Sequence, residues 1–305
     1  MQACAPRGTR IAVGLSGGID SVVLLELALR QREAAEWQLS AVHVHHGLSP
    51  HADTWETFCR QVCERRGIAF AAHRVNVDRA AAGGLEAAAR VARYAVFDAA
   101  PVDLVLLAQH ADDQAETVLH QALRGTGLKG ISGMGATRRL AGGPLLCRPL
   151  LSASRQQIEL YAQQQGLQWV DDESNADTAF TRNFIRRELT PVISARFPHY
   201  RESMARLARH AAEADGMLAD LARIDLQWNG IDADASRLDG LPRERQRNAL
   251  YHWLSWMGRK APSTSQLDEW AGQLFRPSPS DRPHRAGGHD FVIVRRQNKL
   301  SIEAT

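Results

Sequence analysis

The chain predicts an α/β fold, doubly wound around a mostly parallel sheet and followed by a smaller, mainly helical domain. Three observations predict it. Short apolar runs alternate with helical patterns through the first part of the chain, the connections between them are short, and a glycine turn follows the first apolar run directly. Farther along, the alternation gives way to longer helical patterns, so the 305 residues divide into domains at 1–200 and 201–305, both of ordinary domain size.

Each element follows from local residues. Residues 11–15, Ile-Ala-Val-Gly-Leu, are apolar without alternation, as suits a central parallel strand buried on both faces. Ser16-Gly17-Gly18-Ile19-Asp20-Ser21 then turns the chain. The two glycines lack Cβ atoms and let backbone N–H groups approach an anion. Asp20 and Ser21 are helix-start residues, and apolar helical spacing runs on through residue 29. The positive end of that helix points into the turn, where a phosphate belongs. A tight turn without a ligand is the simpler alternative. The turn lacks the lysine of a Walker loop and the dinucleotide spacing of glycines.

Strands at 39–44 and 69–75 flank a helix at 53–66, which makes a βαβαβ unit whose ligands bind at the carboxyl ends of its strands. Residues 78–84, rich in Ala and Gly, form a mobile connection into a helix at 85–99, ended by Pro101 and Asp103. A strand at 104–108 delivers Gln109-His110-Ala111-Asp112-Asp113-Gln114-Ala115-Glu116-Thr117 to the same sheet edge as the glycine turn, and the helix continues to about residue 124. Gly125-Thr-Gly127-Leu-Lys-Gly130 formally matches G-x-G-x-x-G but follows a helix, so the dinucleotide reading fails and 125–135 reads as a flexible loop over the site. A short hairpin about Gly142-Gly143, a helix at 154–165 and an acidic turn at 171–177 follow.

Between 181 and 210 the chain carries Arg182, Arg186, Arg187, Arg196, Arg201, Arg206 and Arg209 against Glu188 and Glu202. In isolation such a run is a solvated helix face. Helices at 204–228, 241–257 and 266–275 come next, with Trp253, Leu254 and Trp256 as core, then a Pro, Ser and Gly linker at 276–288 and a closing hairpin of 290–294 with 299–302.

A net charge of +3 confines any nucleic-acid surface to a local patch. The cysteines, Cys4, Cys59, Cys63 and Cys147, form no C-x-x-C pair; Cys59 and Cys63, four apart on a predicted helix face, read as packed thiols in a reducing compartment rather than as a metal site or disulfide. No apolar run is long enough to span a bilayer and residues 1–10 lack the apolar core of a signal peptide, so the expectation is a soluble cytoplasmic protein without a membrane partner.

Ser16-Gly17-Gly18-Ile19-Asp20-Ser21 resembles the pyrophosphate loop (PP-loop) of the ATP pyrophosphatases, which split ATP into AMP and pyrophosphate to adenylate an acceptor oxygen. Further stretches resemble one family within that class: Val42-His-Val-His45-His46-Gly-Leu-Ser49, Glu86-Ala-Ala-Ala-Arg90-Val-Ala-Arg93-Tyr94, the Gln109 to Thr117 segment, Arg124-Gly-Thr-Gly-Leu, Asp172-Glu-Ser-Asn175 and Thr181-Arg182-Asn183-Phe184. Together these are similar to the tRNA(Ile)-lysidine synthetases, over about residues 10–198 and more weakly beyond. The resemblance implies a ligase that forms a C–N bond. ATP, with Mg²⁺, adenylates the C2 oxygen of the wobble cytidine in a tRNA(Ile) with a CAU anticodon. The side-chain amine of free L-lysine then displaces AMP, giving lysidine and moving codon specificity from AUG to AUA. A homodimer is left open. Many members of that family carry a further C-terminal domain, so the chain is expected to be a short form or a truncated one.

The resemblance also assigns residues, each with a plainer alternative. Ser16, Gly17, Gly18, Ile19, Asp20 and Ser21 cradle the ATP phosphates, and His45, Gln109 and His110 join the nucleotide side. Asp20 offers a carboxylate to Mg²⁺ or merely caps its helix, and Asp112 is a second Mg²⁺ candidate or a cap. Asp113 and Glu116, three apart on one helix face, hold Mg²⁺, bind the lysine ammonium or help remove its proton. His110 reads equally as a structural hydrogen bonder and as a base. Arg90 and Arg182, with Arg93 behind them, neutralise the departing pyrophosphate or make surface salt bridges. Coupled to an ATP site, the arginine-rich stretch after Thr181 becomes a contact surface for the tRNA backbone. The rivals are a tRNA thiolase of the same fold, which wants cysteines this chain does not supply in pattern, and an idle nucleotide- or RNA-binding module.

Overall fold

The computed structural model describes residues 4–78, 80–81, 84–140, 142–173, 181–230, 233–259, 262–275, 283–288 and 290–304. They fall into two compact units, Met1–Arg209 and His210–Thr305.

In the first unit the order is β1 (Arg10–Gly14), α1 (Ile19–Arg32), β2 (Gln38–His45), α2 (Ala52–Glu64), β3 (Ala69–Arg74), α3 (Leu85–Asp98), β4 (Leu104–Leu106), α4 (Ala111–Leu123), α5 (Leu128–Ile131), β5 (Thr137–Arg139), β6 (Leu145–Cys147), α6 (Arg155–Gln164), α7 (Thr181–Phe184), a π-helical stretch Ile185–Leu189, α8 (Thr190–Arg196) and the start of α9 (Tyr200–Asp225). The six strands lie in the order β3-β2-β1-β4-β6-β5, parallel except for β5. Strand order reverses at β1, whose Val13 pairs with Ala41 of β2 and Leu106 of β4. In doubly wound sheets the ligand crevice opens at the carboxyl ends of such neighbours.

The absence of alternation in β1 is explained by burial on both faces. Ile11, Val13 and Leu15 pack with Leu24 and Leu25 of α1, Cys59 and Val62 of α2 and Ile158 of α6, whereas Ala12 faces Phe97, Val105 and Leu146. Each buried Leu or Ile here contributes about 1.5–3 kcal/mol relative to exposure. Among the described residues no helix is long and apolar enough to cross a membrane.

Four sequence expectations are corrected. The 125–135 segment is not a flexible loop: it contains α5, and Gln114 of α4 grips it through Nε2 to the Met134 carbonyl (3.2 Å) and Oε1 from the Met134 N–H (2.8 Å). Gly133 sits against that amide at φ +61°, where a Cβ would lie 2.9 Å from it. The basic stretch 181–210 is not one helix. It breaks after α8, where Phe197 leaves helical geometry (ψ 78°) ahead of Pro198. The 276–288 linker holds a strand, His284–Gly287, while its first part, 276–282, lies outside the described residues, as do residues 174–177 of the acidic turn and parts of the 78–84 connection. Finally, Cys4 and Cys147 are joined in a disulfide that no spacing in the sequence announces. The N-terminal segment is brought to β6 partly by Trp37, whose indole N–H donates to the carbonyls of Ala5 (3.3 Å) and Pro6 (3.1 Å). Cys59 and Cys63 are buried free thiols, as expected. Burial pushes them up to about 12 and about 11.

The second unit comprises the rest of α9, α10 (Arg243–Trp256), α11 (Thr264–Leu274) and an antiparallel sheet β7 (His284–Gly287), β8 (Phe291–Arg296), β9 (Lys299–Ala304). Trp253 and Leu254 are core, beside Leu250, Trp270 and Ile293. Trp256 is half-buried and stacks on Trp228 at 5.6 Å.

Candidate active site

The glycine turn leaves β1 at the point where strand order reverses. The Leu15 N–H donates to the Val42 carbonyl (2.9 Å), and the Leu15 carbonyl accepts from His43 Nδ1 (2.8 Å). At Gly17 the backbone takes φ +92°, and a Cβ there would lie 2.8 Å from Val170 Cγ2 and 3.2 Å from Cys59 Sγ. Only glycine fits both demands. The Ser21 hydroxyl, buried, accepts the N–H groups of Ser16 and Gly17 (3.2 Å each) and donates to the Gly18 carbonyl (2.8 Å). The loop is therefore closed from inside by its own helix, and the N–H groups that open helix geometry leaves unpaired are those of the first turn of α1.

Beside the turn, the α4 start gathers an acidic group. His110 is the N-cap of α4: its Nδ1 accepts the Asp113 N–H (3.4 Å) while Asp113 Oδ2 accepts the His110 N–H (3.1 Å). That reciprocal box leaves the ring proton on Nε2, which lies 3.4 Å from Asp113 Oδ2 and 3.7 Å from Asp20 Oδ1. Asp20 accepts from Arg155 Nη1 at 2.7 Å through Oδ2, whereas Oδ1 is buried without a hydrogen-bond partner among the described residues. Burial holds the Asp20 carboxyl above its ordinary range against the pull of His110 and Arg155.

Asp113 and Glu116 share two arginines. Arg182 reaches Asp113 Oδ1 (3.0 Å) and Glu116 Oε2 (3.2 Å), and Arg186 reaches Asp113 Oδ1 (3.0 Å) and both oxygens of Glu116 (2.7 and 2.9 Å). Glu116 is 3% exposed, so these contacts are its replacement for water. Burial raises the Asp113 carboxyl, yet His110, Arg182 and Arg186 bring it below its ordinary value. Asp112 caps α6 through the Arg155 N–H (2.8 Å) and also pairs with Arg201. Arg182, Arg186 and Arg201 thus leave the basic stretch to balance carboxylates, and the exposed arginines that remain there include Arg187, Arg196 and Arg206.

Arg90 and Arg93 project from α3, outside the acidic group. Burial and the charges of Arg90 and Arg182 lower the Arg93 pKa. Gln109 accepts from Arg148 Nε (3.2 Å). His45 closes β2 in a separate set: its Nε2 is 3.3 Å from Asp53 Oδ1, and Arg74 Nη2 spans Asp53 (2.6 Å) and Glu56 (2.9 Å). The turn, Asp20, His110, Asp112, Asp113, Glu116 and Arg182 are therefore brought together, while Arg90 with Gln109 and His45 occupy neighbouring groups. Sequence reasoning misses Arg148, Arg155 and the pairing of Arg186, whose contacts with Gln109, Asp20 and Glu116 span 39, 135 and 70 residues.

A profile described as a PP-loop domain matches residues 2–193, and one described as the TilS substrate binding domain matches residues 234–301. The tRNA(Ile)-lysidine synthase of Pseudomonas syringae pv. tomato is 43% identical over 317 residues, spanning 94% of this chain and 69% of that protein. The chain belongs to the tRNA(Ile)-lysidine synthase family. Lysidine synthases of Pseudomonas fluorescens (44% identity, 85% of this chain) and Chromobacterium violaceum (44%, 86%) are similar too, and the chain spans 60% and 61% of their lengths. Among solved structures, a U34-tRNA thiolase, NcsA from Methanococcus maripaludis, superposes at TM-score 0.61 with 18% identity, covering 70% of this chain and 75% of that one. At that identity the likeness is one of fold. Within this chain the glycine turn and the α4 carboxylates follow the adjacent strands β1 and β4.

Proposed function

We propose that the chain carries the lysidine synthase reaction: ATP-dependent adenylation of the C2 oxygen of the wobble cytidine in tRNA(Ile) with a CAU anticodon, followed by attack of L-lysine. The carrying observation is the Ser16–Ser21 turn and α1 N-terminus set beside Asp20, His110, Asp113 and Glu116 at the ends of β1 and β4.

A pyrimidine carbonyl oxygen is a poor leaving group until it is esterified to phosphate. The turn binds the triphosphate through the first-turn N–H groups of α1 and the positive end of its dipole. Arg90 and Arg93 meet the charge that develops on the departing pyrophosphate. Mg²⁺ fits the buried, unpartnered Asp20 Oδ1, and when bound it neutralises phosphate charge. The cytidine oxygen attacks the α-phosphorus, pyrophosphate leaves, the lysine amine adds at C2 and AMP departs. Asp113 and Glu116 receive the lysine ammonium and take its proton, Arg182 and Arg186 yielding as it enters. RNA recognition of this kind uses an unstacked loop base, with exposed arginines such as Arg196 and Arg206 on the backbone. Cys59 and Cys63 give the thiolase alternative no support: both are buried, and burial pushes their thiols up, away from the thiolate that sulfur transfer uses.

The test is incubation with ATP, Mg²⁺, labelled L-lysine and a CAU-anticodon tRNA(Ile). Label in tRNA, pyrophosphate release that requires tRNA and AMP release that requires both tRNA and lysine are expected; tRNA that takes up no label, or AMP release indifferent to lysine, refutes the proposal.

A further inference from the structure

Arg148, at the end of β6, is 4% exposed, and its guanidinium is spent on neutral acceptors. Nε donates to Gln109 Oε1 (3.2 Å), Nη1 to the Gly135 carbonyl (2.7 Å) and Nη2 to the Tyr94 phenol oxygen (3.1 Å). Among the described residues no carboxylate pairs with Arg148 or with Arg90. A buried guanidinium without a counter-ion is a costly choice for a structural role alone. Gln109 and Gly135 fix two of its prongs from different segments of the chain, so the third holds the phenol oxygen in place.

That oxygen also accepts from Arg90 Nη2 at 3.1 Å, which fills both acceptor positions of a phenol. Arg90 lies one helical turn before Tyr94 on α3, and its guanidinium stands 4.8 Å over the Tyr94 ring. Ring and oxygen therefore grip the same group. Burial raises the Tyr94 phenol, but Arg90, Arg148 and Arg93 bring it below its ordinary value, as expected of an oxygen receiving charged donors.

We propose that Tyr94 is a positioning residue, tied down by Arg148, whose phenol oxygen sets the Arg90 guanidinium before the phosphates of the nucleotide arrive. This rests on the assignment of Arg90 to the ATP phosphates made above. An arginine so held gives up little rotamer freedom on binding. The relay runs from Gln109 and Gly135 through Arg148 and Tyr94 to Arg90.

Tyr94→Phe tests it, because the ring stays under Arg90 while the acceptor for both guanidiniums is lost. ATP affinity is read on the full chain with a fluorescent ATP analogue, without tRNA or lysine, alongside pyrophosphate release with both. Affinity and turnover are expected to fall about ten- to a hundredfold, the range of one hydrogen bond to a charged group, with the KM for tRNA unchanged. In an Arg90→Ala background the same change is expected to cost nothing further. An equal loss in both backgrounds, or no loss in either, overturns the relay. Should Tyr94→Phe fail to give a cooperative melt, Arg148→Gln, which leaves the tyrosine in place, is read the same way. A chain that couples Tyr94 to Arg90 in nucleotide binding yet transfers no labelled lysine to tRNA refutes the lysidine reaction and leaves the relay standing.

Discussion

Replacing Arg186 by Met takes two of the three guanidinium contacts from Glu116, those at 2.7 and 2.9 Å, and leaves the Arg182 contact at 3.2 Å. Removing the partner of a buried ion pair costs about 3–5 kcal/mol. Two facts reduce that figure here: Arg182 remains, and the Arg186 side chain is 37% exposed, so part of its charge is already solvated and screened. A loss of about 2–3 kcal/mol is expected, or about 4–12 °C in melting temperature for a unit of this size. The assay is a thermal melt with a urea midpoint on the same samples, followed by the double-mutant cycle with Glu116→Gln. If the loss comes from a stranded carboxylate, neutralising Glu116 removes much of it. Arg186→Met should then cost at least about 1 kcal/mol less in the Glu116→Gln background than alone. Strictly additive effects, or an Arg186→Met protein as stable as the parent, would refute the view that the pair is held together by compensation of a buried charge.

Three more outcomes follow. Gly17→Ala puts a Cβ 2.8 Å from Val170 Cγ2 at φ +92°, so about 1–3 kcal/mol of stability and at least about tenfold in ATP affinity should be lost, read by melting and by nucleotide titration. Burial, helped by Arg93, holds His46 down at about 4 against 6.5, so the unfolded chain binds a proton that the folded chain refuses. Stability should therefore fall as pH drops from about 6.5 towards 4, by about 1–2 kcal/mol once solvent screening of the half-buried ring is allowed for, and urea midpoints of His46→Gln should lack that share of the decline. Thiol titration should find none reactive in the folded protein, two (Cys59 and Cys63) on denaturation without reductant, and four after reduction.

What the sequence made legible was whatever rests on near neighbours. The buried strand, the glycine turn and the helix start are adjacent, and hydrophobic pattern with turn chemistry is enough to order them. The α4 carboxylates were legible for the same reason. Their counter-charges were not: Arg182 and Arg186 look like a solvated face because nothing local marks them as partners of Asp113 and Glu116, 66 to 73 residues earlier. Arg148 gives no signal at all, since one arginine at the end of a three-residue strand has no periodicity to violate. Strand β7 hides in a Pro- and Gly-rich stretch because only Ala286 of its four residues is buried, too little for alternation to register.

The inward hydroxyl of Ser21 has a consequence for how the turn meets its ligand. One oxygen, engaged with Ser16, Gly17 and Gly18, fastens the turn through contacts within the chain, so a phosphate that binds there meets a mould already cast. Ordering entropy is then settled during folding rather than at encounter.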